Sequence, residues 1–207
     1  MPAGLTTTSY ALLCLLALRP WSTYELAKQM ERSLSHLWPR AESKLYEEPK
    51  KLVAAGLAVA SSEPTGRRRR TVYAITPAGR DALAAWLSEP GTGPVLEFEA
   101  MVKVSFADQG TVDGLLANID AIIADAEAKA TFGRALARQY LSGEGPFPGR
   151  LGVSGLTWRF LWEHNMTVLR WARWARREVE GWPQHGSGPD PLDGFRRTVS
   201  EATGLAP

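Results

Sequence analysis

The chain is poor in the residues that build most chemical sites. Its 207 residues include one cysteine and three histidines. A single cysteine, Cys14, cannot make an intrachain disulfide or a cysteine metal site, and such a chain suits a reducing compartment, so the expected location is the cytoplasm. His36, His164 and His185 are scattered without a ligand spacing such as H-x-x-x-H, and there is no glycine-rich phosphate loop. Each histidine reads as a surface or helix residue. The expectation is therefore a protein that is not an enzyme and takes no metal or other cofactor.

Long hydrophobic runs are lacking too. The most apolar stretch, Tyr10 to Leu18, is well short of the roughly 20 residues that a membrane helix needs. No Lys or Arg precedes it as the basic start of a signal peptide, so neither export nor a membrane partner is expected. Charge of one sign is scarce as well: the net charge is +2, and 44% of residues are hydrophobic, ordinary for a packed protein. The distribution says more. Residues 1–90 hold 12 Lys and Arg against 8 Asp and Glu, whereas residues 91–207 hold 12 against 14.

What the chain does have begins with helices. Thr6 to Ser9 offer N-caps for a helix over Tyr10 to Leu18, whose leucines cover nearly the whole circumference and require burial. After Pro20, Ser22-Thr23-Tyr24-Glu25 has capping-box spacing, followed by Leu26, Met30 and Leu34 at intervals of four. A third helix is expected from Arg40 to Gly56, with Ala41, Leu45, Leu52 and Val53 inward. Pro49 falls in its middle, so this helix either bends there or begins later.

A hairpin follows. Leu57 and Val59 alternate in a first strand, Glu63-Pro64-Thr65-Gly66 supplies turn chemistry, and Thr71 to Ile75 makes a second strand. Arg67, Arg68, Arg69 and Arg70 lie between. Thr76-Pro77 then starts a fourth helix, which Leu83 and Leu87 carry to about Ser88.

Helix, then basic hairpin, is the working end of a winged-helix domain. The major groove admits one helix, and side chains near its N-terminus reach base edges while basic neighbours hold phosphates. Tyr24, Arg40, Ser43, Lys44, Tyr46 and Lys50 are candidates on the helices; Arg67 to Arg70 and Tyr73 are candidates on the wing. Each has a plainer reading. Four arginines in a row also make a solvated loop or a charged sheet edge, and Tyr46 serves equally as a packing residue.

The set resembles the PadR-like family of bacterial transcriptional regulators. The resemblance rests on Ser9-Tyr10-Ala11-Leu12-Leu13, Tyr24-Glu25-Leu26, Tyr46 with Lys50-Lys51-Leu52 and Ala55-Gly56-Leu57, and the segment Arg70 to Arg80, and it covers about residues 5–88. The family commonly has a proline directly after the tyrosine, whereas here Glu47 and Glu48 intervene before Pro49. The resemblance implies a homodimer, a C-terminal helical dimerisation region, and repression relieved by a small molecule.

In the C-terminal half, Phe98, Met101, Val102 and Phe106 mark a short amphipathic helix. Val112, Leu115, Leu116, Ile119, Ile122, Ile123 and Ala126 form a stripe for a long helix, continued by Ala130, Gly133 and Ala137. A final long helix is expected from about Ser154 to Glu180. Two such helices have more apolar stripe than they can cover alone, so a second subunit is expected over Leu115, Leu116, Ile119, Ile122, Ile123, Trp158, Leu161, Trp162, Val168 and Leu169. Trp158 and Trp162, one turn apart, read either as an aromatic slot for a small effector or as filling of the dimer core.

The expected architecture is mainly α with a small β-hairpin wing: a winged helix-turn-helix domain plus a C-terminal antiparallel helical dimerisation domain. Residues 1–90 form the first, 91–95 a linker, 96–183 the second and 184–207 a tail with a short terminal helix. The expected function is a homodimeric transcription repressor on a double-stranded, inverted-repeat operator, released by a small hydrophobic or aromatic effector. The alternative is a winged-helix protein-protein adaptor.

Overall fold

The computed structural model describes residues 4–34, 36–38, 46–65, 68–145, 147–182 and 191–204. It divides into two units, 1–94 and 95–207.

In the first unit, α1 (Thr7–Leu18) begins on Thr6, whose hydroxyl accepts from Ser9 N while the Ser9 hydroxyl accepts from Thr6 N, a reciprocal cap. Tyr10, Leu12, Leu13, Leu15 and Leu16 are buried around it, which makes α1 the central post of the domain. Two residues of extended chain follow as β1 (Trp21–Ser22), which the sequence did not announce because its pairing partner lies 50 residues away. The expected capping box at Ser22 and Glu25 is present and starts α2 (Thr23–Ser33), whose Leu26 and Met30 enter the core.

The next described helix, α3, spans Glu48–Ala54. It begins later than the Arg40 start expected from the sequence, and Pro49 sits in its first turn, where a missing N–H costs nothing. Leu52 is fully buried, and Gly56 closes the helix at φ +72. Ala41 and Leu45, expected inward, lie outside the described residues.

The hairpin is longer than expected. Strand β2 (Ala58–Thr65) pairs with β3 (Arg68–Ile75), so Glu63, Pro64 and Thr65 extend the ladder rather than turn it. The sheet order is β1-β3-β2, all antiparallel. Val59 faces solvent, and Leu57 N still bonds Leu52 O in the helix ending. Thr76 caps α4 (Pro77–Ser88) through Gly79 N, and Trp86 stacks on Tyr10 at 4.9 Å.

The second unit contains α5 (Glu99–Ser105), α6 (Val112–Leu141), α7 (Leu151–Val179) and α8 (Pro191–Thr203). Its core joins Val112, Leu115, Ile119 and Ile122 of α6 to Ala172, Ala175 and Val179 of α7. Phe98, Ala100, Val104 and Ala107 pack against it, whereas Val102 and Phe106, expected inward on α5, are exposed. The expectation that α6 and α7 need a second subunit to cover this stripe is corrected for Leu115, Ile119, Ile122 and Leu169: each is buried within the chain. The two long helices and α5 cover them together. No helix among the described residues is long and apolar enough to cross a membrane.

Candidate nucleic-acid interface

The first turn of α2 and the wing meet at Glu25. Its carboxylate accepts from Ser22 N (2.8 Å) and the Ser22 hydroxyl (2.7 Å). Arg19 approaches from one side at 3.4 Å and Arg70 of β3 from another at 3.7 Å. The Ser22 bonds, joined by the Arg19 charge, hold the Glu25 carboxyl below its usual range despite some burial. Next to this hub, Tyr24 is 73% exposed, and Lys28 lies exposed one turn further along α2.

On the wing, the arginines alternate across the strand. Arg69 donates from Nε to the Ser62 hydroxyl at 2.8 Å, and Arg70 lies 3.3 Å from Glu63, its cross-strand partner, in addition to Glu25. Neither guanidinium is a loosely solvated charge. Holding long side chains in one orientation before a partner arrives lowers the entropy cost of binding. Tyr73 belongs elsewhere: it is 5% exposed, in register with Trp21 of β1 and Ala60 of β2. Its expected surface contact is therefore corrected to a core position, because its side chain is buried in the core.

At the head of α3, Tyr46 is 67% exposed in the turn before the helix and Lys50 is exposed on its first turn. Between them Glu48 is fully buried, accepting from the Ser9 hydroxyl at 2.6 Å and from Lys51 Nζ at 2.8 Å. The Glu48 bond holds the Lys51 ammonium above its ordinary range. The domain thus presents Tyr24, Lys28, Tyr46, Lys50, Arg69 and Arg70 as exposed aromatic and cationic groups. Arg40, Ser43, Lys44 and Arg67 lie outside the described residues, and Arg68 is described only by its strand position. Two residues were missed in the sequence. Lys28 was findable from its four-residue spacing to Tyr24, whereas Glu48 had no signal because its partner Ser9 is 39 residues away.

In the second unit, Trp158 and Trp162 stack on each other at 5.4 Å and 12°. Trp158 donates from its ring N–H to Gly133 O at 3.0 Å, and a Cβ on Gly133 would lie 3.5 Å from the Trp162 ring. The two stacked rings leave no room for a third ring between them, so an effector could meet only the outer faces of the pair. Arg134 lies 5.7 Å over the Trp162 ring. Leu116, Leu161, Trp162, Val168 and Ile123 are partly buried. Among the described residues, no group of His, Cys, Asp and Glu could hold a metal ion.

Comparison with known proteins agrees with this layout. Residues 12–85 match the model of the Transcriptional regulator PadR-like family. A probable transcriptional regulator of Mycobacterium tuberculosis, Rv1176c, is 29% identical over 127 residues, which are 56% of this chain and 67% of the relative. The fold is similar to Bacillus subtilis PadR solved with operator DNA (TM-score 0.72, 20% identity, 84% of this chain and 99% of that one) and with p-coumaric acid (TM-score 0.65, 19% identity, 84% and 99%). It is also similar to the PadR-like regulator BC1756 of Bacillus cereus (TM-score 0.71, 17% identity, 84% and 98%). These relatives are regulators of transcription rather than enzymes. The winged-helix domain of this chain is thus similar, over residues 12–85, to the PadR-like family of transcriptional regulators.

Proposed function

We infer that the protein is a homodimeric repressor that reads an inverted-repeat operator in double-stranded DNA and lets go when it takes up a small aromatic effector. The observation that carries the DNA part is the Arg70 to Glu25 contact at 3.7 Å, which ties the wing to the first turn of α2 beside Tyr24. It sets the cationic hairpin beside the exposed Tyr24 of α2, a pairing suited to a groove and its flanking phosphates. The operator complex of the Bacillus subtilis relative supports the same reading.

The homodimer is supported by what one chain leaves uncovered. On α7, Val153, Leu156 and Phe160 recur at helical spacing and are 54%, 74% and 53% exposed. We assign the subunit contact to this row, with the half-buried Leu116, Ile123, Leu161 and Val168 lying nearer the chain's own core. For the effector, the p-coumaric acid complex of the relative supports an aromatic acid. An aromatic ring with a carboxylate suits the outer face of Trp162 beside Arg134. Loss of induction in cells on Trp162→Ala, with the dimer kept, is the expected result.

The decisive experiment is selection of the purified protein against random duplex DNA, with the dimer mass measured in the same preparation. An enriched inverted repeat with half-sites about one helical turn apart is expected. A stable dimer that enriches nothing, yet retains a protein partner, would favour the adaptor reading.

A further inference from the structure

Helix α3 starts on a buried acid. Glu48 is its first residue, and none of it reaches solvent. A carboxylate removed from water is costly unless hydrogen bonds and a counter-charge replace the water. Ser9 supplies the bond at 2.6 Å and Lys51 the charge at 2.8 Å. Ser9 is itself held in the reciprocal cap of α1, accepting from Thr6 N at 3.0 Å and donating its own N–H to the Thr6 hydroxyl at 3.3 Å. A single hydrogen-bonded chain therefore runs from the first turn of α1 to the first turn of α3.

Stability alone does not account for an acid here, because an apolar side chain of similar volume is often as stable in such a place or more so. What a directional bond adds is orientation. Apolar contact at Leu52 sets how close α3 lies to the core, but it leaves rotation about the helix axis soft. A bond at the helix's first residue, to a hydroxyl fixed by its own cap, removes that freedom. Tyr46 lies two residues before Glu48 and Lys50 two after, so any rotation of α3 carries both exposed groups away from a groove. Lys51 is held to the acid at 2.8 Å, whereas Lys50 is exposed on the same turn.

We propose that Glu48 is a positioning residue for DNA reading, setting the rotation of α3 against α1 through the Ser9 hydroxyl. It touches no DNA itself, and its role rests on the DNA-binding function inferred above.

The test uses the full chain, the operator recovered by selection and a random duplex of equal length, with melting temperature measured alongside both affinities. Glu48→Met keeps the volume and removes the bond. It is expected to hold or raise the melting temperature while the preference for operator over random duplex falls roughly tenfold, the size expected for a bond to a charged group. Ser9→Ala should lower the preference similarly. Combining Ser9→Ala with Glu48→Gln should cost no more than the larger single change, whereas Lys50→Ala should add to either. Thr6→Ala removes the Thr6 hydroxyl from the α1 cap but keeps the Thr6 N–H that fixes the Ser9 hydroxyl on Glu48, so it should lower melting temperature and leave the preference intact. If Glu48→Met does not fold, Glu48→Gln and Ser9→Ala carry the same comparison. An unchanged preference in the folded Glu48 and Ser9 variants, whatever their melting temperatures, overturns the proposal. A wild-type chain without any operator preference overturns the DNA-binding function itself, and that is read before any variant is made.

Discussion

Two charged residues of similar type have different work in this domain because their partners differ. Arg69 is anchored by a neutral hydroxyl, whereas Arg70 shares its charge with Glu63 and Glu25. Arg69→Ala is expected to weaken operator and random DNA alike and to reduce the slope of log affinity against log salt by about 1. Titrating salt with each variant checks this, and Arg70→Ala should change the slope less while loosening the wing. Glu25 carries a pH prediction. Its carboxyl is depressed in the folded state, so its stabilisation is fully present above the usual carboxylate range and is lost as pH falls through the depressed value. The stability gap between the wild type and Glu25→Gln should therefore be widest near neutral pH and close on acidification, as followed by thermal melts at stepped pH.

Among the elements, α4 illustrates a constraint that composition hides. Gly79 lies in its first turn, and a Cβ there would sit 2.1 Å from Leu57 O and 2.8 Å from Ile75 Cγ1. Leu57 O also accepts from Thr76 N at 3.1 Å, so this carbonyl cannot withdraw without breaking the junction of hairpin and helix. Gly79→Ala is expected to destabilise the chain by about 1–3 kcal/mol through overpacking, visible as a lower melting temperature with helix content kept. The helices themselves were legible: the caps at Thr6, Ser22 and Thr76, the end at Gly56 and the stripe of α6 are local patterns, and local hydrogen bonds enforce them. The start of α3 was less so. Pro49 permits two helices in the sequence, and the later start prevails because it places the proline where no N–H is needed.

For the whole molecule, the exposed apolar row of α7 carries the proposed assembly. Leu156→Glu together with Phe160→Glu should give a chain of unchanged helix content and monomeric mass, which binds a single half-site weakly and no longer binds the inverted repeat cooperatively; light scattering and gel shifts read the two outcomes. Ile119→Ala, by contrast, removes a side chain already buried inside the chain, and its cost of roughly 2–5 kcal/mol should fall on folding itself. The amino-acid sequence by itself determined the order of helices and strands, the winged-helix class and the family resemblance, because caps, periodicity and turn residues act over a few neighbours. Tertiary structure alone decided that Trp21 and Ser22 join the sheet, that Tyr73 is core, that α5, α6 and α7 together bury Leu115, Ile119 and Ile122, and that Glu48 is buried against Ser9. Each of these depends on residues brought together across tens of positions, and burial and pairing at that range are set only when the chain has folded.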